Sequence, residues 1–318
     1  MLNRRTAIIA LGFGLAGAST LTAAPYDEPD ELYAALREQP GERILFPDGA
    51  IDLVFADGAR GIDRAAIRAW VRESADAVTR YFGWFPVAQY GLLVIAQPGE
   101  GVGHATTFGY GGSATRIHVG TAAGAAAFER DWVLVHEMFH AALPDLPRRA
   151  LWLQEGNATW LEPVARVRAG YLPEAELWRQ ALIGMPRGEP GARDGGMDGT
   201  RDHDRLYWGG ATFWLLVEIA IDAASHGKHG LRDAMRTVNR QSGGNATDWT
   251  PEQLMAAGDA AVGSEALSKL YRHFASGRAT TDLPALFARL GVSAPGGRIR
   301  FDENAPLAGV RRRIVGRA

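Results

Sequence analysis

The stretch that most constrains this chain is residues 131–143, which read DWVLVHEMFHAAL. Its apolar side chains fall on nearly every side of a helical wheel, as they do in a helix that is buried all round. Asp131 can cap the start of such a helix, and Pro144 stops it. The pattern predicts one interior helix against which the remaining elements pack.

Three ionisable residues, His136, Glu137 and His140, interrupt this apolar helix. Burying such groups costs several kcal/mol, roughly, unless a partner compensates. His136 and His140 are four residues apart, so both imidazoles can reach one tetrahedral zinc ion. Glu137 is rotated by about 100° and is placed beside the metal, where a carboxylate can take a proton from water. A core helix with two hydrogen-bonded histidines and a surface glutamate is the alternative.

A catalytic zinc ion needs a third protein ligand, and the candidate is Glu155 within LWLQEG, residues 151–156. The spacing from His140 suits a turn through Pro144 and Pro147 and an antiparallel return of a second helix. A surface glutamate is the alternative. Thr159, one turn further on, could hold a zinc ligand by a hydrogen bond or could be an ordinary helix position.

Composition sets the class of protein. The 318 residues are 47% hydrophobic, enough for one large or two closely packed domains. The formal net charge of −2 gives no basic field for nucleic acid. With no cysteine, the chain has neither disulfides nor a cysteine for lipid attachment.

Residues 1–24 have the pattern of an export signal. Arg4 and Arg5 precede an apolar stretch, and small residues at 22–24 suit cleavage before Pro25. The paired arginines allow a twin-arginine route as well as an ordinary secretory route. We therefore expect a periplasmic or secreted protein with no stable membrane span after signal removal; an uncleaved anchor is the alternative.

The remaining patterns predict an α+β fold. Residues 25–143 are expected to form an α/β subdomain with a small mixed sheet, ending in the zinc-binding helix, and residues 144–318 a mainly helical subdomain that carries Glu155. Before the zinc-binding helix the patterns indicate strands at 43–46, 51–55 and 91–96, a helix at 62–82, a glycine-rich segment at 98–112 and an edge strand at 114–119. Helices are expected afterwards at 152–167, 177–183, 207–224, 231–238, 251–257, 264–276 and 283–290.

Residues 184–204 have almost no apolar content and predict a long mobile loop. Spaced aspartates in this loop could bind calcium, or could be solvated.

The sequence HEMFH, 136–140, followed by WLQEG, 152–156, resembles the gluzincin metallopeptidases, and most of all the glycyl aminopeptidase family. This resemblance implies a thermolysin-like domain in which His136, His140 and Glu155 bind Zn²⁺. Residues 207–210, YWGG, are similar to the segment that carries that family's transition-state tyrosine, which implies that Tyr207 stabilises the oxyanion. His203 is the runner-up donor or an exposed loop histidine. Three closing segments, 273–277, 290–292 and 302–311, also resemble the family.

The expected activity is hydrolysis of peptides or proteins, with Glu137 as general base and with the edge strand aligning the substrate backbone. The acidic motif with which aminopeptidases of this clan grip a free amino terminus has no match in residues 108–114. That difference favours cleavage that does not need a free amino terminus, whereas the family resemblance favours aminopeptidase activity. The alternatives are an inactive peptide-binding protein of the same fold and a zinc hydrolase of a non-peptide amide or ester.

Overall fold

The protein is described by a computed structural model that covers residues 8–10 and 26–316. Apart from the three residues 8–10, the predicted export signal lies outside the described residues. The chain divides into two compact units: the first contains residues up to 79, 83–145 and 242–248, and the second contains 80–82, 146–241 and the rest from 249 onward. None of the described helices combines the length and the apolar content that crossing a membrane requires.

The first unit is built on a mixed sheet. Its strand order is β1-β5-β6-β4-β3-β2, with parallel pairing of β3 to β4 and of β4 to β6 and antiparallel pairing elsewhere. The predicted small mixed sheet is therefore confirmed. The strands are β1 (Ile8–Ala10), β2 (Gly41–Phe46), β3 (Gly49–Phe55), β4 (Gln89–Gln97), β5 (Val102–Phe108) and β6 (Ala114–Gly120).

Four helices accompany this sheet: α1 (Pro29–Glu38), α2 (Arg64–Phe82), α3 (Ala125–Glu129) and α4 (Val133–Ala142). The start of α2 is capped by Asp63, whose side chain accepts hydrogen bonds from the backbone of Ala65 and Ala66. Its end is set by Gly83, which adopts a left-handed conformation with φ of 89°. On one face of the sheet, Leu32 and Ala35 of α1 pack into a core with Val54, Leu93 and Phe108.

The prediction of an edge strand at 114–119 is wrong. Strand β6 lies inside the sheet, paired with β4 on one side and β5 on the other, and all seven of its residues are buried. The polar residues that suggested an exposed face have partners within the fold instead: Thr115 bonds the buried Tyr90 and Thr107, and Arg116 pairs with the half-buried Asp27. The strand outside β6 is β5, which forms within the glycine-rich segment and in turn pairs with β1.

The second unit is mainly helical, as predicted. It contains α5 (Leu151–Ala169), α6 (Glu174–Gly184), α7 (Gly210–Ser225), α8 (Leu231–Ser242), α9 (Pro251–Val262), α10 (Ala266–Ser276), α11 (Leu283–Leu290) and α12 (Ala308–Ile314). Two short strands, β7 (Val292–Ser293) and β8 (Arg300–Phe301), form a separate antiparallel pair.

Helices α5 and α7 approach each other at two glycines. A Cβ atom added to Gly156 would lie 2.3 Å from the backbone of Gly210, and one added to Gly210 would lie 2.3 Å from the carbonyl oxygen of Trp152. The indole nitrogen of Trp214 also donates a hydrogen bond of 2.9 Å to the Leu153 carbonyl. Side chains larger than hydrogen cannot be accommodated at this crossing without a backbone shift.

The segment 184–204 contacts the rest of the second unit at several positions, and residues 197–198 show this best. Asp198 accepts hydrogen bonds from the indole nitrogen of Trp152 at 2.9 Å and from Arg149. Its own backbone nitrogen donates to the Ala275 carbonyl at 3.0 Å, and Met197 beside it is buried. The loop expected to be mobile therefore has fixed contacts at 197–198, because these two residues find partners on α5 and α10 that sequence composition does not indicate.

Candidate metal centre

Helix α4, which carries His136 and His140, is buried, as its apolar sequence predicts. All ten of its residues are buried. The carboxylate of Asp131 accepts hydrogen bonds from the backbone nitrogens of Val133 and Leu134, at 3.1 and 3.2 Å, so it caps the helix as predicted. The same carboxylate accepts a hydrogen bond of 3.0 Å from the indole nitrogen of Trp70 on α2. The start of α4 is thereby fixed to its own unit.

His136, His140 and Glu155 offer one ligand atom each, and these atoms all lie within 4.8 Å of one another. The residues are 1%, 1% and 2% exposed, respectively. The two imidazole rings have centroids 4.7 Å apart and are nearly perpendicular, at 83°. Among the described residues this is the one such group of three or more histidine or acidic side chains, and the aspartates of 184–204 form no group of this kind.

The donor set fits a zinc ion. Two imidazoles and one carboxylate are the ligands that leave a fourth tetrahedral position open in hydrolytic zinc sites. A buried carboxylate is costly unless a cation or several hydrogen bonds compensate its charge, and a divalent ion bound next to Glu155 would do so. The three residues therefore form a possible metal site of the zinc type.

Glu137 is not one of the three residues whose ligand atoms come together. Its side chain points to the sheet instead. Its side chain is fully buried, and its Oε2 accepts a hydrogen bond of 2.5 Å from the hydroxyl of Thr107 on β5. This direction agrees with the expected rotation of Glu137 away from the two histidines. A carboxylate placed beside a metal and held from behind can act as a proton acceptor.

Sequence reasoning missed the hydroxyl groups that support Glu137. The Thr107 hydroxyl lies 2.5 Å from that of Thr115, which lies 2.5 Å from the phenol oxygen of Tyr90. Desolvation by burial raises the pKa of Tyr90 well above its usual value, so the phenol keeps its proton. No local motif marks this row, because its members come from three strands whose register depends on the whole sheet.

Tyr207 and His203 come together before helix α7. Their rings stack with centroids 4.3 Å apart and an interplanar angle of 16°. Tyr207 is buried and lies in a π-helical turn, Arg205–Gly209, a rare conformation that is frequent at functional sites. Glu155 directly precedes Gly156, and Tyr207 is three residues before Gly210, so the glycine contact between α5 and α7 fixes the two backbone segments relative to each other.

Thr159 does not have the role suggested for it. Its hydroxyl oxygen is buried and has no hydrogen-bond partner among the described residues, so it does not hold Glu155. The suggestion from spacing is therefore wrong.

No protein-family model matches the chain, and no curated protein matches it either. Among solved structures, the chain is similar to an aminopeptidase N family protein from Idiomarina loihiensis, with 14% identity and a TM-score of 0.58 over 80% of this chain and 49% of that one. It is also similar to an M1 zinc metallopeptidase from Deinococcus radiodurans, with 16% identity and a TM-score of 0.49 over 77% of this chain and 53% of that one.

The chain spans about half the length of these solved structures. The likeness to the Idiomarina protein shows that this chain shares its fold over the covered part, which agrees with the coarser, zincin-like part of the fold prediction. It does not single out the glycyl aminopeptidase family.

Proposed function

We propose that this protein is a zinc-dependent peptidase. The observation that carries the proposal is the convergence of His136, His140 and Glu155 within 4.8 Å, with Glu137 beside them on the same helix as the histidines. A zinc ion bound there supplies an acidified water and a polarised scissile carbonyl. The Idiomarina structure that shares this fold is that of an aminopeptidase N family protein, in agreement with a peptidase.

Within this proposal, Glu137 takes the proton of the attacking water and later delivers it to the leaving amine. Tyr207 donates a hydrogen bond to the carbonyl oxygen as that oxygen becomes negatively charged. The support for Tyr207 is its buried position in the π-helical turn and the fixed spacing between that turn and Glu155. His203, which stacks on Tyr207, is the competing donor.

We further propose that cleavage does not require a free amino terminus. The stretch 98–114, which contains β5 and the turn that follows it, has a single acidic residue, Glu100, and that residue is exposed. A buried or partly buried carboxylate is needed to bind a substrate ammonium group firmly. The glycyl aminopeptidase resemblance favours the opposite specificity, and comparison of each peptide with its N-acetylated form decides between them.

Export and domain division belong to the same proposal. Residues 1–24 act as a cleaved signal, by either the twin-arginine or the general secretory route, and the mature protein is periplasmic or secreted. Its catalytic part then consists of 25–143, which ends in the zinc-binding helix, and 144–318, which supplies Glu155. Fractionation of cells followed by sequencing of the mature amino terminus tests this; a product that begins at Met1 in the cytoplasm would contradict it.

The decisive experiment on the activity compares wild type with Glu137→Gln, both loaded with zinc. The glutamine keeps an oxygen that can accept from Thr107, so folding and zinc content should not change. Peptide hydrolysis should fall by several orders of magnitude, because an amide cannot accept the proton. Turnover at the wild-type rate would exclude Glu137 as the base. Hydrolysis of esters with no hydrolysis of any peptide would instead indicate a zinc hydrolase of another substrate class.

A further inference from the structure

We infer that Thr107 is a positioning residue for Glu137, and that Thr115 and Tyr90 keep Thr107 in its donating orientation. The inference rests on the proposed role of Glu137 as the base. It adds three residues to the site that neither the helix motif nor the third ligand indicates.

The three hydroxyls form a row across one face of the sheet. Thr107 on β5 is the direct cross-strand partner of Thr115 on β6, and their hydroxyl oxygens are 2.5 Å apart. Tyr90 on β4 continues the row, with its phenol oxygen 2.5 Å from the Thr115 hydroxyl. All three residues are buried, with at most 2% exposure. The row leads from the interior of the sheet to the side chain of Glu137.

The direction of the hydrogen bonds along this row is determined at both ends. The Thr107 hydroxyl donates its one proton to Glu137 Oε2 at 2.5 Å. The Thr107 oxygen then accepts from Thr115, and the Thr115 oxygen accepts from Tyr90. Burial raises the pKa of the Tyr90 phenol, so this phenol remains a donor at the far end. Each hydroxyl proton thus points along the row to Glu137.

This row orients the carboxylate and does not carry protons away from it. Tyr90 is fully buried and keeps its own proton, so no path to solvent opens at that end. The Thr107 hydroxyl oxygen also lies 3.3 Å from the backbone carbonyl oxygen of Glu137. Contact with both the backbone and the side chain of one residue fixes α4 against β5 and fixes the rotation of the carboxylate group. Fixed orientation of the base lowers the cost of reaching the reactive geometry.

The test uses zinc-loaded full-length protein and Thr107→Val, which keeps the shape of the side chain and removes the donor. We expect kcat to fall about tenfold to hundredfold, as loss of a hydrogen bond to a charged group predicts, with KM and zinc content unchanged. Thr107→Ser, which retains the hydroxyl, should restore most of kcat. Thr115→Val and Tyr90→Phe should lower kcat progressively less, because each breaks the row further from Glu137.

Thr106→Val is the matched control. Thr106 is the neighbour of Thr107 on the same strand, it is equally buried, and its hydroxyl has no hydrogen-bond partner among the described residues. Its replacement should leave kcat and KM unchanged. A loss of kcat in Thr106→Val as large as that in Thr107→Val would show that packing of β5 is responsible, and would overturn the inference.

A second readout does not depend on activity. The infrared difference spectrum between wild type and Glu137→Gln isolates the carboxylate stretching band of Glu137, and the same difference taken in a Thr107→Val background should show that band shifted. An unshifted band, or a Thr107→Val variant with kcat within about twofold of wild type, overturns the inference. If Glu137→Gln itself retained activity, the proposed function would fail, while the infrared comparison would still report whether Thr107 holds this carboxylate.

Discussion

Gly156 on α5 and Gly210 at the start of α7 lie so close that a Cβ atom on Gly156 would come within 2.3 Å of the Gly210 backbone. The first glycine follows Glu155 directly, and the second follows Tyr207 by three residues. We therefore expect Gly156→Ala to force α5 and α7 apart and to destabilise the protein by about 1 to 3 kcal/mol, the usual cost of overpacking. Chemical denaturation measures the stability, and peptide hydrolysis should decrease as well, because the proposed ligand Glu155 and the proposed oxyanion donor Tyr207 are displaced relative to each other.

Gly195→Ala provides the control for this substitution, since a Cβ atom at Gly195 meets no atom within 4 Å. It should leave stability and activity unchanged. A Gly156→Ala variant as stable as Gly195→Ala would mean that the two helices can separate at little cost.

The proposed ligand set predicts one zinc ion per chain. His140→Ala removes one of three protein ligands and should reduce zinc retained after dialysis to well below one equivalent, as measured by elemental analysis. Chelation should abolish peptide hydrolysis, and addition of zinc should restore it. His226→Asn removes an exposed histidine with φ of 52°, a conformation that asparagine tolerates, and should retain the wild-type zinc content. Equal zinc retention by His140→Ala and wild type would reject the ligand assignment.

The buried helix α4 and the grouping of its two histidines with Glu155 could be predicted because their signals are local. An apolar run broken by two histidines four residues apart specifies both burial and a shared face, and Glu155 stands in a similar apolar run at a spacing that allows a return. Strand β6 could not be placed correctly for the opposite reason. Its polar residues predict an exposed edge unless the residues that satisfy them are known, and those lie on β4, on β5 and before α1.

The hydroxyl row depends on the same non-local information. Thr107 and Thr115 are eight residues apart in sequence, and they face each other because β5 and β6 pair in one particular register. A shift of one residue would turn Thr107 to the other face of the sheet and bring Thr106 to the position beside Glu137. From the sequence alone, either Thr106 or Thr107 could face Glu137, the proposed base.

The stacked pair of His203 and Tyr207 leads to a test of the oxyanion donor. Removal of one preorganised donor costs roughly 100- to 1,000-fold in kcat, with little effect on substrate binding. We expect Tyr207→Phe to fold normally, keep its zinc and show this loss in kcat, whereas His203→Ala should lose the ring contact and retain most turnover. Steady-state kinetics on one peptide measures both. Activity of Tyr207→Phe within about threefold of wild type, together with a large loss in His203→Ala, would assign the donor to His203.

The stability of this protein should depend on pH through one buried carboxyl group. Glu218 on α7 is buried, and desolvation raises its pKa from 4.5 to about 7, although its Oε1 accepts a hydrogen bond of 3.1 Å from the backbone nitrogen of Leu231. Between these two values the folded protein binds a proton at this carboxyl that the unfolded chain has released, so this group lowers stability as the pH rises from 4.5 to 7. The full cost above pH 7 is about 3 kcal/mol.

Glu218→Gln keeps the acceptor for Leu231 and cannot ionise, so its free energy of unfolding should match wild type near pH 4 and exceed it by about that amount near pH 8. Urea denaturation at both pH values measures the difference, and Glu265→Gln, which alters an exposed carboxylate on the surface, should follow wild type throughout. A constant difference between Glu218→Gln and wild type across this range would show that Glu218 has the same pKa in the folded and unfolded chains.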